Sequence, residues 1–219
     1  MMSMSETIKH HISDEILMRY SAGTLPEAFS LLVAAHVSLC DTCRAQVEAC
    51  DAVGGAVLER DAGTDMSAES LEETLARIES GSIVVPQELR ARCGVLPSPL
   101  QDYVGGSVDD VRWRGIGMGV KQAILPTSKE ATARLLYIPA GVAVPDHSHR
   151  GLEMTMVLQG AFADEEDRFA RGDVEMADQD LTHTPVAEMG ADCICLAVTD
   201  APLKFSGLIP KLAQPFLRI

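Results

Sequence analysis

Apolar positions in the first eighty residues recur at helical spacing. Ile16, Leu17 and Tyr20 give residues 13–20 one apolar side, with Ser13 as cap, Asp14 and Glu15 at the positive end of the dipole, and Gly23 as a stop. Thr24-Leu-Pro-Glu27 reads as a capping box with proline in the first turn. Ala28, Leu31, Leu32, Ala35 and Leu39 then follow at the period of a second helix. A third helix is expected from about Cys43 towards Glu59, with Val47, Cys50, Val53 and Val57 inward. Gly54-Gly55 weakens its middle by roughly 1 kcal/mol per glycine relative to alanine. Ser70-Leu-Glu-Glu73, a second capping box, opens a fourth helix to about Ile78. Four short helices make a thin core, one that needs a staple.

The periodicity then lapses. GSIVVPQELRARCGVLPSPLQ, residues 81–101, holds three prolines and two glycines and reads as a connector, with Cys93 an exposed thiol within it. From about residue 108 the pattern becomes that of short strands: Val111–Trp113, Val120–Leu125, Ala133–Ile138, Met154–Leu158, Val174–Met176, Cys193–Val198 and Leu203–Leu208. Pro-Ala-Gly, Gln-Gly, Arg-Gly and Asp-Ala-Pro turns separate them, which predicts a sandwich or barrel. The expected division is a helical domain over 1–85, a linker over 86–107 and a β domain over 108–219.

Composition narrows the function classes. The chain of 219 residues has 18 basic and 32 acidic side chains, a formal net charge of −14. Residues 1–85 alone hold 5 basic and 14 acidic residues, a net of −9. A sequence-independent nucleic-acid binder needs the opposite sign, so direct nucleic-acid binding is not expected and a protein partner with a basic surface is. The start, MMSMSETIKHH, is polar. The longest apolar run, Ala28–Leu39, is interrupted by Ser30 and His36 and is too short to span a bilayer. A cytoplasmic protein without membrane contact is expected, and its six cysteines then point to thiols and metal rather than a disulfide frame. Neither a dinucleotide fingerprint, a P-loop nor an internal repeat is present.

Two clusters carry chemistry. His36-x3-Cys40-x2-Cys43 places an imidazole and two thiols on one side of a helix corner, a donor set for tetrahedral Zn²⁺. His10 and His11 are the candidates for a fourth donor, and His11, at the threshold of the first helix, is the better placed. His147 and His149 are two apart, so on a strand they share a face. Glu153 is a further even step away and His183 follows thirty residues later. Three imidazoles and a carboxylate suit Zn, Fe, Mn or Ni. Cys193 and Cys195 also share a strand face, as small core residues or as a redox pair.

The second cluster resembles the cupin family. The first cupin motif, G-x5-H-x-H-x3-E-x6-G, is matched at Gly141, His147, His149, Glu153 and Gly160. The second is carried by Gly172 and His183, with Asp178, Asp180 and Ala187 where proline, glycine and asparagine are usual. The resemblance implies a small jelly-roll barrel with the metal inside.

Over essentially the whole chain the combination resembles the ChrR-type family of zinc-binding anti-sigma factors with a C-terminal cupin domain. His11, His36, Cys40 and Cys43, together with the segment GTLPEAFSLLVAAHVSLCDTCRAQ, match its zinc motif. The resemblance implies that the helical domain grips an extracytoplasmic-function sigma factor and blocks it sterically. It also implies that the cupin is needed for release under singlet oxygen or related oxidants, and that no residue is catalytic. The acidic helical domain suits basic sigma-factor surfaces, with contacts expected on the exposed faces of helices one, two and four. The competing expectations are a metal-dependent cupin enzyme with a zinc-stabilised docking domain, and a metal sensor without a sigma partner.

Overall fold

The computed structural model describes residues 7–61, 63–81, 94–144, 147–148, 151–177, 182–201 and 204–205. Its helices are α1 (Asp14–Ser21), α2 (Glu27–Val37), α3 (Asp41–Leu58), α4 (Ser70–Ser80) and α5 (Ser98–Val104). Neither expected capping box forms. Pro26 is the N-cap of α2, and the Thr24 hydroxyl donates to the Arg19 carbonyl at 3.1 Å. The Glu27 carboxylate accepts from the Tyr103 hydroxyl and the Ser128 amide, each at 2.6 Å. Tertiary partners on α5 and in the β2–β3 connection thus replace the local one. At α4 the cap is Glu69, and Ser70 pairs with Ser67 at 2.9 Å.

Helix α5 lies inside the stretch expected to be a linker. Pro97 sets its entry, and Leu96 and Leu100 are fully buried in the cluster that includes α2. Residues 94–107 are therefore part of the packed body; Cys93 lies outside the described residues.

The strands are β1 (Arg114–Gly117), β2 (Val120–Ile124), β3 (Thr132–Ile138), β4 (His147–Ser148), β5 (Glu153–Gln159), β6 (Ala161–Ala163), β7 (Arg168–Ala170), β8 (Val174–Ala177), β9 (Thr182–His183), β10 (Val186–Ala187), β11 (Cys193–Thr199) and β12 (Lys204–Phe205). All pair antiparallel, in sheets ordered β1-β2-β3-β11-β5-β8, β10-β6-β7 and β12-β4-β9. The expected strand at Val111–Trp113 starts instead at Arg114, because Ser107 caps a 3-10 turn over Val108–Asp110. Gly160, at φ +69°, makes the turn from β5 to β6; a Cβ there would sit 2.7 Å from the Asp192 carbonyl oxygen.

The central strands β11 and β5 of the six-stranded sheet are buried on both faces, while its β1 edge is exposed. Val157, Cys193 and Cys195 pack with Phe162, Phe169 and Ala187 of the β10-β6-β7 sheet, forming the two-layer interior of a jelly-roll-like fold. The opposite face, with Ala133, Leu135, Met154, Met156, Leu158, Leu196 and Val198, joins a single cluster with Ile16, Phe29, Leu32 and Val33 of the helices. Helix α2 lies on β3, β5 and β11, and seven of its eleven residues are buried. A helix apolar on all sides needs such cover. The helical core is therefore not the thin, self-contained one expected: the sheet completes it.

The outer part of the helical region is the reverse. Cys43 and Val47 are buried in α3, but Val53 and Val57, expected inward, are 66% and 61% exposed. Helix α4 buries nothing: Leu71, Leu75 and Ile78 all face solvent. Among the described residues no helix is long and apolar enough to cross a membrane.

Candidate metal centres

The corner between α2 and α3 is a short break in helical structure. His36 sits in the last turn of α2, and its carbonyl accepts the amides of Leu39 and Cys40. Cys40 is extended and caps α3, its sulfur accepting the Cys43 amide at 3.5 Å. This brings His36, Cys40 and Cys43 together, all buried. His11, just before α1, arrives from outside: its Nδ1 is 3.3 Å from Cys40 Sγ and 3.5 Å from Cys43 Sγ. One donor atom from each of the four residues lies within 4.8 Å of every other. Edges of a tetrahedron built on Zn–S and Zn–N bond lengths are about 3.4–3.8 Å, so the His11–sulfur distances and the donor types suit a zinc site.

Electrostatics agree. The Nδ1–H of His36 donates to the Gly172 carbonyl oxygen at 2.9 Å. That bond fixes the tautomer and leaves the Nε2 lone pair for a metal. His36 Nε2 is buried with no hydrogen-bond partner among the described residues. Burial, with a smaller contribution from His11, pushes the His36 imidazole down to about 4, against the pull of Gly172 and Asp173, so it is neutral near pH 7. Burial and the neighbouring Cys40 push the Cys43 thiol up to about 11. The Cys43 thiol therefore resists ionisation without a cation, and a dication reverses that.

His10, the other candidate, turns away. Its ring lies 4.4 Å from that of Phe169 and 3.0 Å from the Asp167 carboxylate, and its amide donates to Asp173 at 2.9 Å. It is an anchor on the sheet domain, not a member of the quartet.

The second cluster is partly described. His147 on β4 and His183 on β9 are register partners. Glu153 begins β5, buried, opposite Ala177 on one side and Thr199 on the other, and accepts the Thr155 hydroxyl at 3.2 Å. His149, Asp178 and Asp180 lie outside the described residues. Around Glu153 the structure adds polar groups that sequence reasoning missed: Gln122, Arg134, Thr155, Glu175 and Thr199, all buried. Arg134 approaches Gln122 Oε1 at 3.5 Å; burial lowers its pKa and the charge of Glu153 opposes that. The available signal was a charge inside an apolar strand, in TARLLYI and VEMA. Cys193 and Cys195 share one face of β11 with sulfurs 3.4 Å apart, both buried among apolar residues.

Residues 101–202 match the family described as the ChrR cupin-like domain. The anti-sigma-E factor ChrR of Cereibacter sphaeroides is 60% identical over 213 residues, covering 97% of this chain and 100% of that protein. The crystal structure of Rhodobacter sphaeroides SigE in complex with the anti-sigma ChrR matches at 59% identity and a TM-score of 0.77, covering 88% of this chain and 99% of that chain. The likeness thus runs through the helical part and the sheets alike, and on that ground the chain belongs to the ChrR family of anti-sigma factors.

Proposed function

We propose that this chain is a regulatory binding protein that captures an extracytoplasmic-function sigma factor and occludes it sterically, without catalysis. The observation that carries the reading is the uncovered apolar surface of α3 and α4. Leu71, Leu75 and Ile78 form a stripe at helical spacing on α4, and Val53 and Val57 another on α3. Acidic side chains flank both, including Glu48, Asp51, Glu72, Glu73 and Glu79. Uncovered apolar stripes with an acidic border suit a partner with an apolar groove and a basic rim. Helix α2, expected among the contact faces, packs on the sheet and has seven of its eleven residues buried, so it offers a partner less surface than α3 and α4. The relative's name and the complex in which the ChrR structure was solved support the same partner class.

In this reading His11, His36, Cys40 and Cys43 hold a structural Zn²⁺ that fixes the α1–α2–α3 corner. His147, His149, Glu153 and His183 hold a second divalent metal, Zn, Fe, Mn or Ni, inside the cupin. The division is a helical unit over 1–85 that blocks the sigma factor and a cupin unit over 108–219 that governs release under oxidative stress, both in the cytoplasm.

The full chain, co-expressed with an extracytoplasmic-function sigma factor from the same genome, should co-purify with it and suppress its transcription in vitro. Failure to bind, together with oxygen uptake on a small-molecule substrate, would favour a cupin enzyme instead.

A further inference from the structure

Asp173, only 3% exposed, spends its carboxylate on backbone amides. Oδ1 accepts from Lys9 at 2.6 Å and His10 at 2.9 Å, and Oδ2 accepts from Ala170 at 2.9 Å. In return the Val174 amide donates to the His10 carbonyl at 3.2 Å. Residues 9–10 are therefore tied to the start of β8 in both directions, and His11 is the next residue. Gly172, at φ +93°, carries the Ile8 side chain against it: a Cβ there would lie 2.6 Å from Ile8 Cδ1. Its carbonyl holds His36 Nδ1. Arg171 completes the turn, donating to the carbonyls of Gly94 and Val95 at 3.0 Å each and to Leu158.

The His36 ring and the backbone leading into His11 are thus held by two consecutive residues of the β7–β8 turn, Gly172 and Asp173, over 130 residues away in the chain. The two thiols are positioned by the α2–α3 corner. Backbone and side-chain partners outside a metal's ligand set orient the ligands, and removing one typically costs about 10–100-fold in metal affinity.

We propose that the β7–β8 turn, residues 171–173, is a working part of the zinc site, with Asp173 as the positioning residue for His11 and the Gly172 carbonyl for His36. The inference rests on the zinc reading of the quartet. Its consequence is a two-way link. The zinc affinity of the helical unit depends on the placement of β8, and zinc in turn steadies β8. Strand β8 ends at Ala177, the register partner of Glu153. A change at Glu153 and a change at the zinc therefore meet on one strand of about 13 Å.

Full-length chain substituted with Co²⁺ tests this. The thiolate-to-cobalt charge-transfer band reads the quartet, because the other cluster offers only nitrogen and oxygen donors. Zn²⁺ displacement of that band should be about 10–100-fold weaker in Asp173→Ala than in the unaltered chain. Asp173→Asn, which keeps one acceptor oxygen, should lose less. An Asp173→Ala chain that is folded by circular dichroism and displaces with unaltered affinity overturns the proposal. Absence of the thiolate band from the unaltered chain overturns the zinc reading itself and the proposal with it. Should Asp173→Ala fail to fold, hydrogen exchange on the unaltered chain decides. Adding Zn²⁺ to the metal-free protein should slow the Val174 amide more than the amides of β1 and β2, and equal effects overturn the proposal.

Discussion

His147 and His183 stand opposite one another across the β4–β9 pair. Opposed residues of an antiparallel pair have Cα atoms about 4.5–5.5 Å apart. The pairing sets side by side two strand positions 36 residues apart in sequence. His183→Ala and His147→Ala should each remove one of two bound metal equivalents, read by plasma mass spectrometry of the purified chain. Retention of both equivalents in either variant would count against a metal at this pair.

His11→Ala should weaken metal binding at the quartet, read as a thiolate-metal signal that needs more metal to saturate, since it removes a donor 3.3 and 3.5 Å from the two sulfurs. His10→Ala should retain it and instead weaken the attachment of the N-terminal segment, because that ring rests on Phe169 and Asp167. Spectra of the two cobalt-loaded variants, taken side by side, check the assignment.

Leu75→Ala and Val57→Ala should each weaken sigma-factor binding by more than about 1 kcal/mol, as interface anchors do. The same changes should leave the melting temperature of the free chain nearly untouched, because exposed positions contribute within about ±0.5 kcal/mol. Calorimetric titration and a thermal melt separate the two effects. Unaltered binding in both variants would move the interface elsewhere.

Acid should unfasten the N-terminal segment. Burial pushes the Asp173 carboxyl up, but the amides of His10, Ala170 and Lys9, with the His10 ring beside them, outweigh it and hold the group below its usual 3.8. A carboxyl depressed in the folded state stabilises fully above its unfolded value and loses that contribution as pH falls through the folded one. Asp173→Asn should therefore destabilise the chain at pH 7 and progressively less below pH 3.8, in denaturant melts run across that range.

The sequence made the quartet legible because metal ligation leaves a spacing. His36, Cys40 and Cys43 are in phase at one corner, and only two histidines were near enough to complete them. The role of His10 was not legible, since its partners Asp167 and Asp173 lie more than 150 residues away. Helical periodicity tells which positions of α3 share a side, but not whether that side is covered, and Val53 and Val57 lie on a side left exposed. The same limit concealed the fate of α2, whose apolar side is long enough for a helical core and is spent on a sheet. Arg134 and Glu175 were hidden because a strand read as apolar tolerates a buried charge only where another strand answers it, and sequence alone does not pair strands.

The placement of α2 on β11 bears on how the molecule is made. The helix leaves the ribosome about 160 residues before the strand that covers it. At about 5–20 residues per second its bare side waits on the order of 10–30 s for its cover. During synthesis the nascent helices thus pass through an interval with apolar surface uncovered.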